Sequence, residues 1–189
     1  DVPAADRALV QALAIDERLL AASPNDDVLD GYVHAAATRA ELTFRTDDAA
    51  LALPQLDMAI AASERALAAR PQGVQQRFVR RHLAKVEAQA AIAAGEFERA
   101  ARAARSLLEE RLAPTSPTLA AALLVACAAA EAAEERTADA DAHRREAREL
   151  LVAVRAAGGD PLALRKDPTA TDLCTADFVA LCTEAAQGK

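Results

Sequence analysis

Aromatic residues are scarce in this chain, which has no Trp, one Tyr and four Phe among 189 residues. Aromatic platforms for stacking nucleic-acid bases are therefore scarce too. The formal net charge is −7, so the chain also lacks the positive excess that contact with a phosphate backbone requires. We expect no nucleic-acid partner.

Long apolar runs are absent as well. The longest, residues 119–130, is shorter than the roughly 20 residues that cross a bilayer, so we expect no membrane insertion by this segment. Cys127, Cys174 and Cys182 are odd in number and widely spaced, which excludes a disulfide framework and predicts reduced, mostly buried thiols. We expect a cytoplasmic location, and the start at Asp1 suggests a piece of a longer protein.

Motifs for catalysis are also missing. The sequence has no glycine-rich phosphate loop, no His-Glu-x-x-His, no Cys-x-x-Cys and no nucleophile elbow. We therefore predict no catalytic residue, no cofactor and no enzyme activity in this chain.

The sequence is rich in alanine and has the apolar spacing of α-helices along most of its length, with only six glycines. Asn25 or Asp26 is a candidate N-cap, Pro54 fits the first turn of a helix, and the Gly-Gly pair before Asp160 fits a C-cap. The pattern predicts seven helices and a short helix in the tail. Their approximate ranges are 4–22, 27–45, 54–70, 74–94, 96–112, 117–135 and 140–157, with the tail helix at 172–186.

Proline-containing stops recur along the chain. They fall at Pro24, Pro71, Pro117 and Pro161, at intervals of 44 to 47 residues. A single helical hairpin cannot bury its apolar face alone, so a repeated two-helix unit predicts a stacked solenoid. We predict one helical-repeat domain over 1–189. Its parts are a half unit at 1–24, units at 25–71, 72–115 and 116–160, and a capping tail at 161–189.

Three residues resemble the tetratricopeptide repeat family, whose second helix begins Gly-x-Tyr-x-x-Ala. Gly95, Phe97 and Ala100 match this opening, with Phe in place of Tyr. The closing pattern Ala-Leu-x-x-x-Pro is matched by Ala66, Leu67 and Pro71. The resemblance implies an all-α, right-handed solenoid of antiparallel helix pairs. The units here are longer than the 34-residue repeat of the family, and their first helices lack its usual Trp and Leu-Gly.

The tail carries a second resemblance. Its pattern is similar to the end of helical-repeat regions that follow the kinase domain in large bacterial serine/threonine protein kinases. The matching residues are Asp167, Pro168, Leu173, Asp177, Phe178 and Leu181. This implies a place in a bacterial signalling protein, although the kinase signatures themselves are absent from this chain. From the residues alone, the tail is predicted to cap the solenoid.

One basic cluster interrupts the acidic sequence. Arg77, Arg81 and Lys85 form an i, i+4, i+8 stripe on the fourth predicted helix. The opposite stripe, predicted to be buried, contains Val79, Leu83, Val86 and Ala90. In the repeat family the first helices line a groove that holds peptides, so helices 27–45, 74–94 and 117–135 are the predicted binding surface. The candidate partner-binding residues are His34, Arg77, Arg81, His82, Lys85 and Gln89.

Two alternatives for these polar residues remain open. The basic stripe also fits a solvated helix face that pairs with Glu87 and other acids. His34, His82 and Cys127 recur at about one repeat, but a row of residues along a solenoid does not converge on a metal. We therefore predict no metal site and partly exposed surface histidines, His143 included. The rare aromatics Tyr32 and Phe44 are expected to pack in the core.

The function predicted from these features is protein–protein interaction or scaffolding, with a protein or peptide partner that carries an acidic segment. One alternative is a structural or self-association module without a peptide ligand. Another is a small-molecule-sensing helical domain. The sequence leaves the oligomeric state open.

Overall fold

Helices make up nearly all of the computed structural model, which describes residues 2–23, 25–46, 49–109, 116–168 and 170–187. These ranges contain eight α-helices and no β-strand, so the all-α prediction is confirmed. The helices are α1 (Val2–Ala22), α2 (Asp26–Thr46), α3 (Ala49–Ala69), α4 (Val74–Ala93), α5 (Phe97–Glu109), α6 (Ser116–Ala133), α7 (Thr137–Ala156) and α8 (Ala176–Gln187). Two short 3₁₀ turns, Ala163–Lys166 and Thr171–Leu173, precede α8.

The chain divides into two compact units. The first, Asp1–Ala94, contains α1 to α4, and the second, Gly95–Lys189, contains α5 to α8. Within each unit, successive helices pack against each other. The predicted single domain over 1–189 and its repeat boundaries stay a prediction.

Neighbouring helices of the first unit run in opposite directions. Between α1 and α2, the Tyr32 hydroxyl donates to Glu17 Oε1 at 3.2 Å, and Arg39 Nε donates to Asp6 Oδ1 at 2.9 Å. The earlier residue on α1 thus meets the later residue on α2. Between α2 and α3, Arg70 just after α3 donates to the Asp30 carboxylate near the start of α2. The first unit is therefore built from antiparallel neighbours.

Alternate helices of the first unit run parallel. His34 Nε2 on α2 lies 3.1 Å from Gln75 Nε2 at the start of α4. About two turns further along both helices, Glu41 Oε2 lies 3.0 Å from His82 Nε2. Both pairs are separated by 41 residues, which only parallel helices can give. This arrangement is consistent with a helical repeat.

The proline stops lie at different places relative to the helices. Pro71 lies in the turn before α4, whereas Pro117 lies inside the first turn of α6 and Pro161 follows α7. Pro24 lies outside the described residues. The starts of the alternate helices α2 and α4, Asp26 and Val74, are 48 residues apart, so the contacting pairs reflect a stagger between the two helices as well as the repeat.

The second unit is organised around α6, which packs against α5, α7, α8 and both 3₁₀ turns. Most of its side chains are buried. Arg105 on α5 and Glu146 on α7 form a bidentate pair at 2.8 and 2.7 Å, again 41 residues apart. Leu173, Phe178 and Leu181 are buried as α8 packs on α6 and α7, so the tail covers this unit as predicted for a cap.

Three turns use left-handed backbone geometry. Gly95 has φ +74° and Gly158 has φ +79°, in the region that glycine adopts without a steric penalty. After α7, Gly159 N donates to Val154 O and Gly158 N donates to Arg155 O, both at 2.9 Å, which is a Schellman C-cap. The same pattern ends α6, but there the left-handed residue is Glu135, with φ 63°.

Several helix ends differ from the predicted ones. Helix α3 begins at Ala49 rather than 54, so Pro54 lies inside the helix and not in its first turn. Helix α7 begins at Thr137 rather than 140, since the left-handed Glu135 completes the turn early. The tail helix begins at Ala176 rather than 172 because residues 171–173 form a 3₁₀ turn. Parts of the chain between the second and third predicted helices and between the fifth and sixth lie outside the described residues, as do the last predicted residues of the fifth helix.

Other local predictions are confirmed. Asn25 caps α2, because its Oδ1 accepts from the Asp27 backbone N–H at 2.7 Å. Tyr32, Phe97 and Ala100 are buried, whereas Phe44 is only half-buried and so meets the expectation of core packing in part. All three thiols are free, with Cys127 and Cys182 buried and Cys174 half-buried. Among the described residues, Ser116–Ala133 has the length and composition of a membrane span, but 67% of it is buried within the protein, as in a core helix.

Candidate functional site

The exposed side of α4 brings together apolar and basic residues. Val74, Phe78, Arg81, Lys85 and Gln89 follow at intervals of three or four residues, so they lie on one side of the helix. We call these five residues the α4 face. Val74 is 81% exposed and Phe78 is 53% exposed, while the other three side chains are half-buried. The opposite stripe, at residues 79, 83, 86 and 90, is buried as predicted.

Arg77 differs from the other predicted basic residues. Its guanidinium donates to the Pro71 carbonyl at 2.8 and 3.2 Å and to Gln72 Oε1 at 2.6 Å. These bonds tie the start of α4 to the turn that precedes it. Arg77 is therefore engaged in the fold, and we leave it out of the α4 face.

His82 lies at the edge of the α4 face, between α4 and α2. Its Nε2 is 3.0 Å from Glu41 Oε2, and its side chain is partly exposed. Glu41 also pairs with Arg45 one turn later on α2. The surface formed by α2 and α4 therefore carries both signs of charge, with Glu41 on α2 lying between Arg45 on α2 and His82 on α4.

His34 is exposed and is held in one tautomer by two neighbours. Its Nδ1 lies 2.9 Å from the Asp30 carbonyl, which can only accept, so Nδ1 carries the proton. Its Nε2 then accepts from the Gln75 amide at 3.1 Å. His34 thus fixes the register between α2 and α4 at one end, as His82 does further along.

The remaining three predicted residues, Arg81, Lys85 and Gln89, already interact with other parts of the chain. A partner would add to these interactions or replace them. All six predicted residues lie on α2 and α4 of the first unit. Among them, Arg77 uses its side chain to hold the turn before α4.

A small recess lies beside His34 between α2, α3 and α4. Gln76 Nε2 donates to both Asp30 carboxylate oxygens at 3.0 and 2.9 Å within it. Its volume of about 10 Å³ has room for about one water molecule. This recess therefore gives no support to the small-molecule alternative.

The third helix of the predicted groove offers little surface. Residues 116–133 form α6, whose side chains are mostly buried in the second unit. Its Cys127 is buried and is not part of an exposed row with His34 and His82. The expectation that 117–135 line a partner surface is therefore not supported by the burial of this helix.

A buried polar cluster in the second unit was missed. It consists of Cys127 and Glu131 on α6 and His143 on α7, with one ligand atom from each within 4.8 Å of the others. His143 Nδ1 lies 2.8 Å from Glu131 Oε2 and 3.9 Å from Cys127 Sγ. His143 is 6% exposed and Glu131 is 1% exposed. The prediction of a surface histidine at 143 is therefore wrong, because that side of α7 packs on α6.

Burial sets the state of the Cys127 thiol. Burial first, and then the charge of Glu131, raise the pKa of Cys127 to about 12. The thiol is thus protonated at neutral pH and is a poor nucleophile, while its sulfur lies 3.7 Å from the Phe97 carbonyl. A nucleophilic role for Cys127 has no support in this environment.

Part of this cluster has a signal in the sequence. Cys127 and Glu131 are four residues apart and so lie on one side of a helix. His143 falls in a stripe with Ala140, Ala147 and Leu151, all buried, which marks it as inward-facing. What the sequence does not give is the turn at 134–136 that brings the two stripes together.

Comparisons with known proteins add no further assignment: no family model, curated protein or solved structure matches this chain.

Proposed function

We propose that this chain is a protein-interaction module, and that its α4 face binds an acidic segment of a partner protein. The observation that carries the proposal is Phe78, an aromatic side chain 53% exposed in a chain with few aromatics, on the same face as Arg81 and Lys85. Aromatic and arginine side chains supply most of the binding energy in protein interfaces. An acidic segment with one apolar residue would place its apolar side chain on Phe78 and its carboxylates beside Arg81 and Lys85.

The expected contact is weak and sensitive to salt. Exposed ion pairs contribute about 0.2–1 kcal/mol each, and the basic residues already interact within the chain. Phe78 and Val74 add the burial of apolar surface, which salt does not weaken. Affinity should therefore fall, but not vanish, as ionic strength rises.

The wider context is part of the same proposal. Parallel alternate helices, the left-handed Gly95 and the buried Phe97 support a tetratricopeptide-like repeat, and the buried tail residues fit the end of such a region. We propose that the parent is a bacterial signalling protein in which this region follows a serine/threonine kinase domain. The reading frame upstream of Asp1 tests this, since the absence of a kinase domain there would remove the kinase part of the proposal.

Fluorescence anisotropy tests the binding surface. The probe is a fluorescein-labelled, glutamate-rich peptide with a single leucine, and its counterpart has glutamine at every glutamate. We expect the acidic peptide to bind more tightly and Phe78→Ala to weaken binding about tenfold. The double variant Arg81→Ala/Lys85→Ala should weaken binding by about two- to thirtyfold, as two exposed ion pairs are lost.

The matched control removes the same charge elsewhere. Arg144 and Arg145 are exposed on α7, so Arg144→Ala/Arg145→Ala changes the net charge equally without touching the α4 face. If this control weakens binding as much as the α4 variant, or if the glutamine peptide binds equally well, the proposed surface is wrong.

Self-association is the second candidate, because Val74 and Phe78 also form an exposed apolar pair. Sedimentation velocity over a range of protein concentrations separates the two. A mass that rises with concentration, and that Phe78→Ala returns to the monomer, would assign the α4 face to self-association instead of a peptide.

A further inference from the structure

The cluster of Cys127, Glu131 and His143 combines three different metal-binding groups in a buried place. A thiol, a carboxylate and an imidazole each direct one atom toward the others, all within 4.8 Å. Zn²⁺ takes these three donor types, and a mixed set with sulfur and nitrogen favours it over Mg²⁺ or Ca²⁺. We propose that this cluster is a binding site for one zinc-class divalent cation.

Two of the three distances fit tetrahedral coordination after small shifts, and the third, between Cys127 Sγ and the Glu131 carboxylate, is within 4.8 Å and must shorten by up to about 1.3 Å. Zn–S of about 2.3 Å and Zn–N of about 2.0 Å place two such ligand atoms about 3.5 Å apart. Cys127 Sγ and His143 Nδ1 lie 3.9 Å apart, and His143 Nδ1 and Glu131 Oε2 lie 2.8 Å apart. The first distance must shorten, and the second must lengthen, each by about half an ångström or less on the geometry of such sites.

The scaffold holds the three groups on well-defined elements. Cys127 and Glu131 lie one turn apart on α6, the central helix of the second unit. The turn that follows is fixed by two bonds, Arg136 N to Glu131 O at 2.9 Å and Glu135 N to Ala132 O at 3.2 Å. That turn sets where α7 begins and hence where His143 lies.

Charge balance favours a divalent ion. A thiolate and a carboxylate together carry two negative charges, which Zn²⁺ neutralises, so the filled site holds no net charge in a buried position. Binding transfers the Cys127 proton to solvent, and the imidazole proton moves to Nε2 so that Nδ1 can coordinate. Three protein ligands leave a fourth position, which water occupies in zinc sites of this type.

Metal binding is measured directly on the full chain. Equilibrium dialysis against Zn²⁺ with elemental analysis gives the stoichiometry, and Co²⁺ in place of Zn²⁺ reports thiolate coordination through a near-ultraviolet charge-transfer band. We expect one equivalent of metal, a thiolate band, and a melting temperature that rises with metal concentration.

Variants separate a metal site from a hydrogen-bonded cluster. Glu131→Gln keeps a polar partner for His143, so it preserves the fold while removing a ligand charge, and we expect at least tenfold weaker Zn²⁺ binding. Cys127→Ala should abolish the cobalt thiolate band. The controls Cys182→Ala, a buried thiol outside the cluster, and His82→Ala, a histidine of the other unit, should change neither.

Two results would overturn the proposal. One is a wild-type chain that takes up no Zn²⁺ at micromolar concentrations, which would leave the cluster as a helix-to-helix hydrogen bond. The other is uptake that survives Cys127→Ala and Glu131→Gln, which would place the metal elsewhere. Neither result bears on the α4 face, which lies in the first unit.

Discussion

Replacing Phe97 with alanine probes the residue on which the repeat assignment depends. Phe97 is 2% exposed and follows Gly95, whose left-handed backbone starts α5. The Arg136 guanidinium lies over its ring, 5.1 Å from the centroid. One side chain thus links the start of α5 to the start of α7 within the second unit.

The size of the effect follows from burial and from the ring contact. Truncating a buried phenylalanine costs about 3–5 kcal/mol, because apolar contacts are lost and a cavity is left. The Arg136 contact is a minor part of this, since the guanidinium is exposed to solvent. We therefore expect Phe97→Ala to lower the free energy of unfolding by about 3–5 kcal/mol.

Urea unfolding followed by circular dichroism measures this, with Phe78→Ala as the matched control. Phe78 is 53% exposed, so its truncation should cost less than about 1 kcal/mol. A double-mutant cycle with Arg136→Ala isolates the ring contact. A cost well under 1 kcal/mol for Phe97→Ala, at an unchanged denaturant slope, would refute the packing role assigned to this residue.

Three further predictions concern stability and use the same unfolding assay. Glu135→Gly should stabilise the chain by about 0.5–1 kcal/mol, because glycine removes the steric cost of a left-handed φ; a loss of stability would contradict the turn geometry. Pro54→Ala should stabilise it by about 1–3 kcal/mol, since a proline inside α3 forfeits a helical hydrogen bond; no gain would place Pro54 in the first turn after all. Hydrogen bonding from Arg105 lowers the pKa of Glu146, so this pair stabilises the fold above the unfolded pKa near 4.5 and stops doing so as pH falls through the folded pKa. Glu146→Gln should therefore be less stable than wild type at neutral pH, by at most about 1 kcal/mol, and the difference should vanish in acid; a constant difference would exclude the carboxylate as its source.

Local signals in the sequence predict much of the fold. Alanine-rich periodicity locates the helices, Asn25 marks the start of α2, and the glycines at 95 and 158 mark left-handed turns. These local predictions agree with the structure because each feature depends on only a few adjacent residues. Tertiary contacts are different, because no adjacent residue marks which side chains meet across parallel helices, as His82 and Glu41 do.

The candidate sites show where sequence reasoning stops. Phe78 is apolar and was not assigned to the surface, yet it lies on the side of α4 opposite Leu83, so its exposure follows from the helical spacing. His143 was expected at the surface, although its stripe with Leu151 is buried. The cluster that His143 forms with Cys127 depends on the left-handed turn at Glu135. A glycine would have indicated such a turn in the sequence, and glutamate does not.

The central structural claim is that alternate helices of each unit run parallel in a repeat. Two histidines provide a direct test in the first unit, since each lies against one residue of the alternate helix: His34 with Gln75, and His82 with Glu41. Nuclear Overhauser contacts from these two imidazole rings to their partners are the predicted result. Contacts of His82 with the start of α2 instead of Glu41 would show antiparallel helices and would contradict the repeat.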